Sequence, residues 1–154
     1  MSGEIIHIFT AAEEGADMVA NNSVEVVADK GIVGDRYFGV AADESISLIE
    51  AEQVDQFNAS HGTDFAYSDI RRSLVTRGVD LNGLVGKTFT VGRLRVYGCE
   101  LCEPCSYLAS RTTQAVLRGL LHRGGLRGRI LDSGTLSVGD KIVIHEVATV
   151  VEPA

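Results

Sequence analysis

The chain has 154 residues, of which 45% are hydrophobic, a composition typical of an ordered globular protein. No stretch has the length and apolar character needed to cross a membrane, and the amino terminus lacks a basic start followed by a long apolar run. We therefore expect neither a membrane protein nor a secreted one. An odd number of cysteines, three, favours a reducing compartment in which thiols stay free, so the expected location is cytoplasmic.

Charge is unevenly distributed along the chain. The net charge is −7, yet residues 71–129 carry 11 Lys or Arg against 3 Asp or Glu. This basic middle has two interpretations: it meets an anionic ligand, or the acidic ends of the chain neutralise it in the fold. We expect no nucleic-acid partner.

The first half of the chain predicts four strands and one helix. Runs rich in β-branched residues, or alternating apolar with polar ones, predict the strands. They lie at residues 4–11, 23–28, 45–49 and 69–81, and residues 11–22 are an acidic connection. Residues 50–60 have apolar side chains at helical spacing, and Gly62 predicts the end of that helix.

The second half predicts further strands and a second helix. Strand patterns lie at residues 88–91, 94–97, 126–131, 135–138 and 141–144. Residues 112–122 place Val116, Leu117, Leu120 and Leu121 on one side of a predicted amphipathic helix. Short strands without regular β-α-β alternation predict a mainly β (α+β), barrel-like fold with two short helices. We expect a single domain over residues 1–154.

All three cysteines lie close together, at Cys99, Cys102 and Cys105, so that two sulfurs can approach one another or one soft metal ion. Cys99 follows a strand pattern and is expected to pack as a small hydrophobe. Cys102 and Cys105 flank Pro104 in a predicted loop, where functional thiols and plain packing both fit. A structural zinc site would need a distant histidine as a further ligand. The candidates are His7, His61, His122 and His145.

Two further stretches contain candidate ligand-binding residues. Residues 31–39 set three glycines around Asp35 and Arg36, which is typical of a loop that a ligand approaches, or of an ordinary turn with an internal Asp35–Arg36 contact. Arg71 and Arg72 offer planar forks of donors for phosphate or carboxylate, unless they form salt bridges to the acidic flanks. The GxGxxG and GxxxxGK[ST] motifs are absent, so nucleotide binding by those routes is not predicted.

Three ordered stretches resemble the MOSC domain, the fold named after the C-terminal domain of molybdenum cofactor sulfurase. They are residues 34–39, residues 71–81 with 84–87 and Gly92, and residues 102–105 with Leu108. Supporting matches lie at residues 47–52, 123–125, 134 and 139–140. Each piece is short, but the pieces follow one another in the same order as in the family, over residues 23–145.

The resemblance implies a small barrel-like domain that handles sulfur or the molybdenum cofactor (molybdopterin), independently of pyridoxal phosphate. By resemblance, Cys105 is the catalytic residue, either as a carrier of persulfide sulfur or as the ligand of the metal. A thiolate suits both roles, because it is a nucleophile and a soft metal ligand. The resemblance assigns cofactor binding to Arg36, Arg71, Arg72, Ser73 and Cys102. Relatives that bind the cofactor reduce N-hydroxylated compounds.

Two positions depart from the family pattern, which often has Arg at Glu44 and Asn at Ser73. A lost base and a gained acid predict weaker cofactor binding or a different substrate. Three functions stay open. The first is a reductase component that acts on a small molecule and receives electrons from a separate protein. The second is a persulfide carrier served by a cysteine desulfurase, with Cys102 resolving the persulfide as a disulfide. The third is a non-enzymatic module that binds an anionic partner.

Overall fold

The computed structural model describes residues 2–144, except the side chain of Ser2. The strands of the first half are β1 (Ser2–Thr10), β2 (Val19–Asn21), β3 (Ser23–Val27), β4 (Gly31–Ile32), β5 (Ile46–Glu50) and β6 (Leu74–Arg77). Those of the second half are β7 (Thr88–Val91), β8 (Leu94–Leu101), β9 (Leu126–Ile130), β10 (Gly134–Ser137) and β11 (Lys141–Ile144). The α-helices are α1 (Ala51–His61), α2 (Ser106–Arg111) and α3 (Val116–Gly119).

Seven strands close into a barrel in the order β1, β6, β5, β9, β8, β7 and β11. Closure comes from the pairing of β11 with β1, where Glu4 lies opposite Lys141. Only β5 and β6 run parallel within this ring, with Leu48 opposite Leu74. Strand β2 extends the sheet beyond β1, and β10, β3 and β4 form a separate three-stranded sheet. The predicted mainly β, barrel-like fold is confirmed.

Two apolar clusters lie on the two faces of the sheet. The first fills the barrel and includes Ile5, Leu48, Leu74 and Phe89, all fully buried. The second lies between the outer face of the sheet and the helices, and joins Ile49, Val54, Phe57, Val75, Leu108, Val116 and Leu120. Neighbouring residues Leu74 and Val75 of β6 belong to different clusters, because successive side chains of a strand point to opposite faces. Strand β6 is therefore buried on both sides.

The predicted end of the first helix is confirmed, since α1 ends at Gly62, which has a left-handed φ of 64°. The helix predicted over residues 112–122 is wrong in extent. The chain forms α2 before residue 112, and residues 112–122 contain only the single helical turn of α3. Val116 and Leu120 are buried, but Leu117 and Leu121 are exposed. A Cβ on Gly119 would lie 2.6 Å from the Phe57 ring, so close packing against α1 shapes this segment.

The strand patterns are confirmed at nine places, and the structure adds the short strands β2 and β4 within predicted connections. Two or three residues are too few to show an alternating pattern. The pattern over residues 69–81 yields a strand only at Leu74–Arg77, after a 3-10 helix at Tyr67–Ile70. Arg71 and Arg72 therefore lie in the connection that enters β6. Among residues 2–144, no helix is both long and apolar enough to span a membrane.

Candidate functional site

A pocket of about 120 Å³ opens beside the loop that leaves β8. That volume accommodates several water molecules, so a small ligand fits where a single buried water would not fill the space. The pocket brings together basic residues and thiols from distant parts of the chain: Arg36, Arg71, Arg72, Arg127, Cys102 and Cys105. Three carboxylates share its lining, those of Glu14, Glu44 and Glu103.

The two thiols of the loop differ in exposure. Cys102 follows β8 directly, is 6% exposed, and its backbone N–H donates to the carbonyl of Gly125 at 2.7 Å. Cys105 is exposed and precedes the first turn of α2, where its carbonyl accepts from the N–H of Ala109 at 3.0 Å. The loop between them contains Pro104, which limits the backbone angles that the loop can adopt. Cys105 thus presents a solvent-accessible sulfur at a defined place.

Arg72 fastens this loop to its neighbours. Its Nε donates to the carbonyl of Gly124 at 2.9 Å, its Nη1 to that of Ile70 at 3.1 Å and its Nη2 to that of Cys102 at 3.2 Å. A guanidinium has five N–H groups, so two of them are not used in these three bonds. Arg72 therefore joins three backbone segments, and it also lines the pocket.

A second contact holds the loop through Glu103. The Glu103 carboxylate accepts from the backbone N–H of His122 at 2.7 Å and lies 2.7 Å from His122 Nδ1. Partial burial raises the pKa of Glu103, but the two His122 contacts outweigh it, and the net pKa is lowered. The backbone at Gly124 packs closely against the Cys102 backbone. Only glycine permits this, because a Cβ at position 124 would lie 2.5 Å from the carbonyl oxygen of Cys102.

Arg36 enters the pocket from the loop after β4. Its Nη1 lies 3.2 Å from Asp35 Oδ1, its Nη2 donates to the Arg71 carbonyl at 3.1 Å, and its guanidinium stacks over the Tyr37 ring at 4.4 Å. Its side chain is only 5% exposed, and its Nε has no hydrogen-bond acceptor within residues 2–144. The Asp35–Arg36 contact that the ordinary-turn interpretation predicts is present, and the same arginine lines the pocket.

Arg71 completes the basic wall. It is 6% exposed and adopts a left-handed backbone conformation with φ of 65°, which is uncommon for a residue other than glycine. Its Nη2 donates to the carbonyl of Ala16 at 2.9 Å. Among the described residues, no carboxylate lies within ion-pair distance of Arg71 or Arg72, so the salt bridges considered as their alternative role are not seen there.

Comparison with known families gives a match to the MOSC domain over residues 33–143, which is most of the chain. This segment includes both thiols of the pocket and the three buried arginines. The chain belongs to the MOSC domain family. A comparison with curated proteins finds no significant match.

Solved structures of low sequence identity share this MOSC fold. The YUAD protein from Bacillus subtilis superposes with a TM-score of 0.82 at 17% identity, covering 96% of this chain and 97% of the other. YiiM from Geobacillus stearothermophilus gives 0.77 at 18% identity, covering 94% and 75% of the two chains. YiiM from Escherichia coli gives 0.71 at 14% identity, covering 96% and 72%. At these identities the likeness concerns the fold.

Ser73 lies one step away from the pocket of this MOSC domain. It is 4% exposed, its backbone N–H donates to Ser47 Oγ at 3.0 Å, and its own Oγ lies 3.4 Å from the same atom. Ser47 lines the pocket, whereas Ser73 does not. Ser73 thus contacts a residue of the pocket lining, Ser47, and its predicted cofactor contact stays a prediction.

Cys99 lies outside the pocket lining, on β8. Its side chain is half-buried, and burial together with the Asp43 carboxylate raises the pKa of its thiol. Within residues 2–144, no group of three or more His, Cys, Asp or Glu side chains is arranged to hold a metal ion. His145, one of the histidines considered for zinc, lies outside the described residues. A metal at Cys105 would therefore have fewer than three such ligands from the described residues.

Sequence reasoning missed several residues of the pocket. Arg127 reaches it from β9 and Glu14 from the connection after β1, whereas Glu44, noted above as a departure from the family pattern, reaches it from the 3-10 helix before β5. Burial lowers the pKa of Arg127, but the neighbouring Cys102, Glu100 and Glu44 outweigh it, so the net pKa is raised. Tyr37 and Tyr107 also line the pocket. Strand pairing brings these positions together, so spacing along the chain carries no signal for them.

Proposed function

We propose that this MOSC protein binds the molybdenum cofactor in the pocket, with Cys105 as the metal ligand, as a component of a reductase. Its substrate would be an N-hydroxylated or similar small molecule. One observation carries the proposal: the exposed thiol of Cys105 shares a pocket with the buried side chains of Arg36, Arg71 and Arg72, and no carboxylate of the described residues lies within ion-pair distance of Arg71 or Arg72. Thiolate sulfur is a soft metal ligand, and guanidinium groups bind phosphate oxygens.

The donor set fits the cofactor. The buried Nε of Arg36 lacks an acceptor within the described residues, which an anionic oxygen of a pterin phosphate would supply. Arg71 and Arg72 offer further N–H groups on the same wall. Cys105 would supply a protein sulfur to the metal, and the bound cofactor would supply a centre that exchanges two electrons with a substrate.

The remaining residues of the site orient the thiol. Arg72 and Glu103 hold the loop from two sides through their contacts with Cys102, Gly124 and His122. A loop fixed in this way keeps the sulfur in one position before a ligand arrives, which reduces the entropy lost on binding. Electrons would come from a separate donor protein, because the sequence has no dinucleotide-binding motif. We propose a cytoplasmic location, where thiols stay reduced.

Metal analysis of protein purified without oxygen tests this function. Wild-type protein should contain molybdenum in near-stoichiometric amount, and Cys105→Ser should lose it, because oxygen of a neutral serine is a poor substitute for thiolate sulfur. Cys99→Ser is the matched control, since Cys99 lies outside the pocket, and it should retain the metal. Wild-type protein without molybdenum, or a Cys105→Ser variant that retains it, would contradict the proposal.

A persulfide carrier is the second candidate, because Cys102 lines the same pocket as Cys105. The Cys105 thiolate would attack the terminal sulfur of a desulfurase persulfide, and the desulfurase thiolate would leave. Cys102 would then attack the inner sulfur, release sulfide and form a Cys102–Cys105 disulfide, which a cellular thiol would reduce. In Cys102→Ser, which cannot release the sulfur in this way, mass spectrometry after incubation with a desulfurase and cysteine should find one added sulfur on Cys105, and its absence would exclude this role.

A further inference from the structure

Arg36 combines deep burial with an unused donor. Its Nη1 and Nη2 already contact Asp35 Oδ1 and the Arg71 carbonyl, and its side chain is 5% exposed. Its Nε–H has no acceptor within residues 2–144. An unbonded N–H of a buried cation is destabilising, so an acceptor that reaches this atom will be held there.

The carboxylate of Glu14 is close to this donor. Glu14 Oε1 lies 3.8 Å from Arg36 Nε, which is an ion-pair distance but too long for a hydrogen bond. The Glu14 side chain lines the pocket and is 63% exposed, so little packing opposes its movement towards Nε. Glu14 is therefore an internal anion placed beside the donor that an external anion would use.

The backbone holds Glu14 at this position. The residues around it, 11–16, leave β1, and the carbonyl of Ala11 accepts from the Arg36 N–H at 2.8 Å. At the other end of this stretch, the carbonyl of Ala16 accepts from Arg71 Nη2 at 2.9 Å. Two arginines of the pocket thus anchor the chain on both sides of Glu14. Its neighbour Glu13 is exposed and does not line the pocket.

We propose that Glu14 is a specificity-determining residue of the pocket, because its carboxylate competes with an anionic ligand for Arg36 Nε. A ligand must bring an oxygen that accepts from Nε more strongly than Glu14 does. A phosphate group meets this condition, since its several anionic oxygens accept from more than one arginine at a time. A monovalent carboxylate has no such advantage over Glu14. The inference rests on the anion-binding part of the proposed function and is independent of molybdenum.

Calorimetric titration of the metal-free protein with inorganic phosphate tests the inference. Glu14→Gln keeps the shape of the side chain and removes its charge, so it should tighten phosphate binding by about two- to fivefold, the range expected for one exposed carboxylate. Glu13→Gln, the matched control, should change the affinity less. The gain from Glu14→Gln should shrink as sodium chloride rises from about 0.1 M to about 1 M, because screening shortens the reach of the charge.

A second variant separates competition from a structural role of Glu14. Arg36→Lys keeps a positive charge but removes Nε, so adding Glu14→Gln in that background should no longer tighten binding as much as in wild type. Equal gains in both backgrounds, equal effects of the two glutamate variants, or no phosphate binding by either wild type or Glu14→Gln would overturn the inference. Phosphate binding with these dependences in a protein that never acquires molybdenum would support it while the reductase proposal fails.

Discussion

The molecule uses arginine in two different ways, on the pocket wall and on the outer surface beside β8 and β9. On the outer surface, Arg95 pairs with Asp132 at 2.8 Å and Arg129 with Asp29 at 2.8 Å. On the pocket wall, Arg71 and Arg72 are buried and donate to backbone carbonyls. A carbonyl accepts a hydrogen bond without cancelling the net charge, and Arg71 and Arg72 have no acidic partner among the described residues, whereas Arg95 and Arg129 each have one.

The same contrast applies to the thiols. Cys99 lies near Arg129 on the outer surface. Burial and the Asp43 carboxylate raise the pKa of its thiol, and Arg129, already paired with Asp29, lowers it less. Cys105 lies on the pocket with the three buried arginines. The difference shows that the basic middle of the sequence divides in two: Arg95 and Arg129 pair with acidic residues from elsewhere in the chain, whereas Arg71 and Arg72 lie on the pocket without an acidic partner among the described residues.

The largest expected effect follows from removing Arg72. Arg72→Ala takes away three hydrogen bonds from a charged donor and leaves the carbonyls of Ile70, Cys102 and Gly124 without that partner. We expect the free energy of unfolding to fall by at least about 3 kcal/mol, measured by urea denaturation. Arg95→Ala, on the exposed outer surface, is the control and should change the urea midpoint far less. Similar midpoint shifts for the two variants would remove the distinction between the two groups.

The next effect concerns the packing of the cysteine loop. Gly124→Ala would place a Cβ 2.5 Å from the Cys102 carbonyl oxygen and 3.3 Å from Pro104 Cδ, so backbone must move. We expect a loss of about 1–3 kcal/mol in the free energy of unfolding, seen as a lower Tm. In the control Gly83→Ala, the nearest atom is the flexible Asp80 carboxylate at 3.1 Å, so its Tm should stay close to that of wild type. An unchanged Tm for Gly124→Ala would show that the loop is not tightly packed.

Thiol reactivity compares the two regions directly. Iodoacetamide near neutral pH should modify Cys105 first, because its sulfur is exposed, while Cys102 is buried. Cys99 should react more slowly and gain reactivity at alkaline pH, since burial and the Asp43 carboxylate raise the pKa of its thiol. Peptide mass spectrometry over time gives the three rates. Cys105 as the slowest of the three would favour packing over function.

The smallest effect is a pH dependence of the outer surface. Hydrogen bonds from Arg95 lower the pKa of Asp132 to about 2, against an ordinary value of 3.8. Because the folded-state pKa is depressed, the stabilisation is complete above the ordinary value and is lost as pH falls through about 2. Carboxyl chemical shifts followed by NMR should report a midpoint near 2 for Asp132, which returns towards the ordinary value in Arg95→Ala. A normal midpoint in wild type would mean that the pair does not form in solution.

Local patterns predicted most of the fold. Alternating β-branched residues marked nine of the strands, and Gly62 marked the end of α1, because these signals depend only on neighbours in sequence. The prediction of a helix over residues 112–122 was wrong because of a tertiary contact. Gly119 packs against Phe57, and Leu117 and Leu121 remain exposed, so contact with α1 overrides the apolar pattern.

The sequence by itself determined the barrel class, the family resemblance, and the identity of Cys105 and the arginines as candidates. These follow from residue type and order, which a chain carries before it folds. Only the tertiary structure decided which arginines pair with a carboxylate, which thiol is exposed, and that Glu14 lies beside Arg36. Strand pairing and loop packing set those distances between residues far apart in sequence, and electrostatic effects depend on distance and burial rather than on spacing along the chain.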